Sequence, residues 1–156
     1  MKHLTEALAA LTLLLAACNN GSGGVGPSPF HSLETETLTM GPATLRVWIA
    51  DTVATQANGL MDAVEADLDP LANGTLRGML FVFPTARMLS FWMRDTEVPL
   101  DLAYLDESGR VIEVHSLVPL DETLVPSSVP VRYALELRAG TLLAEGLGVG
   151  DTLELP

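Results

Sequence analysis

Cysteine occurs once in this 156-residue chain, at Cys18, and lysine once, at Lys2. A single cysteine excludes an intramolecular disulfide, so stability has to come from an apolar core. Basic side chains number eight against twenty acidic ones, a formal net charge of −12. No basic run offsets that field, which repels phosphate backbones and anionic headgroups, and no nucleic-acid partner is expected. The apolar run Ala7 to Leu15 falls short of the roughly 20 residues needed to span a bilayer. There is no phosphate-cradling glycine loop, and Ser127 and Ser128 lack a nucleophile elbow or a nearby histidine. His31 and His115 stand too far apart from other ligands to predict a zinc centre. Met61, Met79, Met88 and Met93 lack the clustered spacing of a copper(I) site and read as core filler. No cofactor and no internal repeat is expected.

What is present begins with a start that has the form of a secretory signal peptide. Lys2 and His3 precede the short apolar centre, and Leu15-Ala16-Ala17 precede Cys18. Such a segment, residues 1–17, is expected to be removed on export. Leu-Ala-Ala-Cys resembles the lipobox of bacterial lipoproteins, which implies a diacylglyceryl group on the Cys18 thiol and further acylation such as palmitate. The partner implied is a membrane, held through the Cys18 lipid, with the domain facing the extracytoplasmic side of the cell envelope. Two acyl chains suffice for stable anchoring where one is marginal. Residues 18–33, rich in Gly, Ser, Pro and Asn, read as a flexible tether. Loss of residues 1–17 removes Lys2 and Glu6, leaves the net charge unchanged and leaves arginine as the sole basic residue type.

Residues 34–156 hold enough apolar side chain for a single globular domain. Alternation of Leu45, Val47 and Ile49 with Thr44, Arg46 and Trp48 predicts a half-buried strand, reached by a hairpin through Gly41-Pro42. Asp51 or Thr52 is expected to cap a helix to about Met61, with Val53, Ala57, Leu60 and Met61 as its apolar stripe. Asp62 to Gly74 reads as an acidic loop with at most one helical turn. The acids at 65, 67 and 69 lack the glycine and glutamate positions of a calcium loop. Met79 to Phe83 predicts a buried strand, Pro84 to Arg87 a turn and Leu89 to Met93 a returning strand. Leu100–Leu105 and Arg110–Leu117 predict a hairpin around Ser108-Gly109. Pro119 to Pro130 is read as surface loop, Arg132–Leu137 as a strand, Gly140 to Gly146 as a short helix, and Thr152–Leu155 as a closing strand. The expected fold class is α+β, a strongly twisted sheet or small β-barrel with two short helices.

The stretch from Met79 to Asp101 places much of the aromatic mass beside charged and hydroxyl groups. Trp92, Arg94, Asp95, Thr96 and Asp101, with Glu136 from the later strand, are the candidate ligand-binding residues. Gly59-Leu60-Met61, Gly78 to Phe83, Phe91 to Thr96, Pro99-Leu100-Asp101, Leu135-Glu136-Leu137 and Gly150-Asp151 resemble the bacterial and archaeal family called domain of unknown function 192. The resemblance covers roughly Arg46 to Leu155. It implies a small, often exported or lipid-anchored domain and carries no agreed activity. This chain has Arg94-Asp95 where the family pattern has Lys-Asn, and Asp62-Ala63 where it has a basic residue.

The first expectation is therefore an envelope lipoprotein that binds a small ligand or an envelope protein through these residues. The alternative is hydrolysis of envelope carbohydrate or peptide by paired carboxylates. In that version Asp101 is the base and Asp95 or Glu136 the acid, with Arg94 holding the substrate.

Overall fold

The β-hairpin at the start follows the alternation in the sequence. Strands β1 (Thr35–Met40) and β2 (Ala43–Ala50) pair antiparallel across Gly41-Pro42. The computed structural model describes residues 28–155. The signal segment, Cys18 and most of the tether lie outside the described residues. The last tether residues do not behave as tether: Pro29–Ser32 form a 3-10 turn, and Phe30 is buried edge-on against the Trp48 ring at 4.8 Å. The domain therefore begins earlier than residue 34, because one aromatic in a polar segment covers the outer face of Trp48.

After β2 the chain forms α1 (Val53–Asn58), α2 (Glu65–Leu68), β3 (Leu76–Arg87) and the short β4 (Ser90–Phe91). Next come β5 (Leu100–Leu105), β6 (Val111–Leu117), β7 (Val125–Pro126) and β8 (Val131–Arg138). Helix α3 (Thr141–Ala144) and β9 (Leu153–Glu154) finish the fold. One seven-stranded sheet runs β6-β5-β8-β3-β2-β1-β9, parallel only at β2–β3, and β4 pairs separately with β7.

The sheet curls until its two edge strands meet at one end. There the Val111 N–H donates to the Asp151 carbonyl at 2.8 Å, and the Leu153 N–H to the Gly109 carbonyl at 2.9 Å. Edge contact of this kind protects short strands from pairing elsewhere. Among the described residues the fold is mostly strand with three short helices, one more than expected, and fits the α+β class.

Both faces of the sheet are buried. The concave side holds Leu45, Val47, Leu80, Leu105, Leu135 and Leu137, capped by Leu142 and Leu147 from the α3 region. The convex side holds Trp48, Met79, Phe81, Leu102 and Tyr104, covered by Phe30, Leu60, Leu68 and Met93. Gly78 permits the close approach of β3 to β8, since a Cβ there would lie 2.3 Å from the Glu136 carbonyl oxygen and 2.5 Å from Leu137 Cδ2.

Three local expectations are corrected. Strand β3 does not turn at Pro84 but continues to Arg87, with Pro84 inside a register shift against β8 between Val82 and Arg87. Proline is tolerated at such an irregularity, where no ladder hydrogen bond is required of it. The Leu89–Met93 segment forms just two strand residues and pairs with β7. Helix α1 starts at the predicted Thr52 cap, whose hydroxyl accepts from the Thr55 N–H, but it stops before Gly59, and Val53 is exposed instead of facing the core.

Candidate functional site

A cavity of about 510 Å³ opens on the convex side of the sheet, lined by the end of α1, by β3, by the segment from Arg87 to Thr96, by Leu124 and by Glu136 of β8. That volume is in the range of small-molecule sites. Each wall has a local cause. Alternation along β3 points Phe81 and Phe83 to the convex side, with Met79 behind them. The same alternation in β8 sends Leu135 and Leu137 to the concave core and Glu136 outward into the cavity.

Helix α1 is held over the cavity by Gln56. Its Nε2 donates to the Val82 carbonyl at 2.8 Å, at the position where the β3–β8 register breaks. Gly59 ends the helix with φ of 50° and ψ of −132°, and a Cβ there would meet the Phe81 ring at 3.3 Å. Glycine alone combines that backbone with that contact.

The loops on either side of the mouth are bonded to each other. The Asp62 N–H donates to the Asp95 carbonyl at 2.8 Å, and both aspartates adopt left-handed backbone, with φ of 61° and 52°. Asp and Asn are the residue types that visit this region most readily after glycine. The Asp62 carbonyl in turn accepts from the Ser28 hydroxyl at 2.8 Å, so the residues entering the domain brace the same turn.

Glu136 forms the floor. It is 4% exposed, and no hydrogen bond or ion pair to its carboxyl exists among the described residues. Burial alone pushes the carboxyl up to about 8. A carboxyl raised that far favours its neutral form at neutral pH. The nearby Tyr104 hydroxyl, donated to the Val125 carbonyl at 2.6 Å, is also pushed up, first by burial and then by the charges of Glu113 and Glu136. Two arginines line the cavity. The Arg94 guanidinium lies 5.5 Å from the Trp92 ring centre, and that of Arg87 lies 5.8 Å from the Phe83 ring centre.

Of the six predicted ligand-binding residues, Trp92, Arg94, Thr96 and Glu136 line this cavity and Asp95 and Asp101 do not. The Asp95 carboxylate is solvent-exposed and faces Arg94 at 3.5 Å. Asp101 points to the concave side, where its carboxylate accepts from the Leu142 N–H at 3.2 Å. The three carboxylates therefore do not converge, and the paired arrangement required by the hydrolytic alternative is absent among the described residues. The polar cluster is carried by a loop and not by a strand edge, because hydrogen bonds from Met93 N–H to Asp121 and from Leu120 N–H to Thr96 replace a ladder there.

Arg138 holds Glu65 and Asp69, each at 2.6 Å, and Asp67 accepts from the Val64 N–H at 2.9 Å and bonds His31 at 2.8 Å. The acidic loop thus spends its carboxylates on structural contacts.

Gln56, Arg87, Ser90 and Leu124 also line the cavity and were not indicated by the sequence. Their neighbours Gly59-Leu60-Met61, Phe81 to Phe83, Phe91 to Thr96 and Glu136 belong to the blocks quoted above, which the fold gathers around one cavity.

These features define a curled-sheet domain with a ring-lined cavity over a buried carboxyl. The chain belongs to the family described as "Uncharacterized ACR", domain of unknown function 192, whose profile matches residues 35–155. Similar solved structures include a protein of unknown function from Novosphingobium aromaticivorans. It is 32% identical, with 81% of this chain and 89% of that chain covered and a TM-score of 0.71. A second, from Sinorhizobium meliloti, is described as a "putative transcription regulator"; it is 32% identical, with 79% and 95% covered and a TM-score of 0.70. No curated protein matches the chain.

Proposed function

We propose that this domain binds a small organic ligand in the cavity above Glu136. The observation that carries the reading is a buried carboxyl without a partner, facing a cavity of ligand size. No fully buried side-chain oxygen among the described residues lacks a partner, so the Glu136 carboxyl is reachable from the cavity and available to a bound donor. Phe81, Phe83 and Phe91 offer apolar walls, Trp92 and Arg94 offer stacking and polar contacts at the mouth, and the buried Thr96 adds a hydroxyl to the lining.

The test is a melting-temperature screen of a metabolite library against the full chain and a Leu124→Trp variant, which places an indole over the mouth. Compounds that stabilise the parent and not the variant support the reading. A library that shifts neither, or both alike, counts against it.

Met88, Trp92 and Leu124 at the mouth are 54%, 39% and 59% exposed. That apolar rim favours a second reading, in which an envelope protein docks over the cavity. The net charge of −12 weighs against DNA as a partner.

The location proposed is the extracytoplasmic side of the cell envelope, with Cys18 lipidated. The support is the signal-like segment and the Leu-Ala-Ala-Cys sequence. Cys18→Ser should release the protein from membranes or leave an unprocessed precursor; membrane attachment and processing that do not change would remove this part of the reading.

A further inference from the structure

Resting on the ligand-binding reading above, we propose that the ligand is a small zwitterion whose two charges are separated by an apolar body. Its ammonium group meets Glu136 at the floor, the body lies along the phenylalanine rings, and its anionic group reaches Arg87 and Arg94 at the mouth.

The polar ends of the cavity act independently. Arg87 and Arg94 line the same cavity as Glu136, yet neither forms an ion pair with it among the described residues, and burial is the cause of the raised Glu136 carboxyl. The floor thus has acid without base, and the mouth has base with little acid. Arg87 has no ion-pair partner among the described residues, and Arg94 has the exposed Asp95 at 3.5 Å. Arg46, Arg77, Arg110 and Arg132 also have no ion pair among the described residues; what sets Arg87 and Arg94 apart is that they line the cavity, and planar guanidinium forks suit carboxylates and phosphates.

At the floor, a cation is the partner that returns most to a buried carboxyl. It supplies a charge-assisted hydrogen bond in a place of low dielectric. Phe81 and Phe91, packed edge to face at 4.8 Å, and Phe83 provide ring surface that tolerates an ammonium group better than an aliphatic wall would.

Proton balance follows from the same geometry. Without a cationic partner, burial favours Glu136 as the neutral acid; on binding, its O–H proton leaves to solvent and the carboxylate accepts from the ligand ammonium. The groups facing Glu136 do not supply an alternative acceptor. Tyr104 on β5 donates to the Val125 carbonyl, Met79 and Phe81 on β3 do not titrate, and Gln56 and Asn58 on α1 are neutral. Arg138, two positions along β8, is held by Glu65 and Asp69.

The experiment is calorimetric titration of the full chain with 4-(aminomethyl)benzoate, 4-methylbenzoate and benzylamine. It is run near neutral pH in two buffers of different ionisation heat, with Glu136→Gln and Arg87→Ala/Arg94→Ala variants alongside. The zwitterion should bind about tenfold or more tightly than either single-charge probe, and close to one proton should be released. Glu136→Gln should abolish the proton release and the advantage over 4-methylbenzoate, and the double arginine variant the advantage over benzylamine. If 4-methylbenzoate binds as well as the zwitterion, with no proton release, the charge assignment is overturned while ligand binding stands. If none of the three binds, the zwitterion assignment falls, and the library screen described above decides ligand binding itself.

Discussion

Asp101 and Glu136 lie on neighbouring strands one register position apart and point to opposite faces of the sheet. Asp101 pairs with Leu137, and Leu102 with Glu136, along the β5–β8 ladder. One carboxyl therefore serves the concave core and the other the cavity, and their substitutions should separate.

For Glu136 the expected readout is pH dependence. The folded carboxyl is raised to about 8 from an ordinary 4.5. Between those values the unfolded chain is ionised and the folded chain is not, so the unfolded state binds fewer protons and stability falls as pH rises through the window. Glu136→Gln should flatten that slope, leaving stability near pH 5 almost unchanged and raising it near pH 8 by on the order of a few kcal/mol. Denaturant midpoints at the two pH values check this.

Asp101 should behave as a structural acceptor. Asp101→Ala leaves the Leu142 N–H unpaired in a buried site and should cost about 1–3 kcal/mol. Asp101→Asn keeps an oxygen acceptor and should cost less. Neither should alter ligand affinity, since Asp101 does not line the cavity. Thermal denaturation and a binding titration on the same samples give both answers.

Gly78→Ala should be severely destabilising. The added methyl would meet the Glu136 carbonyl oxygen, a backbone atom in a paired strand, which cannot swing aside. Overpacking of this kind typically costs about 1–3 kcal/mol, occasionally more, and an obstructing backbone places this site at the upper end. A melting temperature equal to the parent's would refute the reading of Gly78 as a packing requirement.

Arg94→Ala tests the mouth. The side chain is about half exposed and its ion pair with Asp95 is longer than a hydrogen bond. Stability should change by no more than about 0.5 kcal/mol, while affinity for any ligand found in the cavity should fall. An Arg94→Ala variant that binds as tightly as the parent would remove Arg94 from the site.

Strand alternation made the β1–β2 and β5–β6 hairpins and the facing of β8 legible, because each is decided within a few residues of chain. It also placed Glu136 opposite the Leu135 and Leu137 face. Asp101 was less legible. Leu100, Leu102 and Tyr104 on one side and Ala103 and Leu105 on the other are all buried, so period-two alternation distinguishes the faces without saying which core each joins. That choice is made by pairing with β8, distant in sequence.

Pro84 read as a turn because its ring removes a ladder donor, yet the register shift against β8 accommodates it. Gln56 and Arg87 carried no local signal. Their positions depend on where α1 and the end of β3 come together. Phe30 was hidden by composition, since one ring in a Gly- and Pro-rich stretch does not reveal that Trp48 lies beneath it.

The most direct test of the central claim is untargeted mass spectrometry of small molecules that co-purify with the full chain, run beside a Glu136→Leu/Arg94→Ala variant. The account predicts a compound retained by the parent in near-stoichiometric amount and lost from the variant, with both proteins folded by circular dichroism. A compound retained equally by both, or none retained by a parent whose cavity also ignores added metabolites, would contradict it.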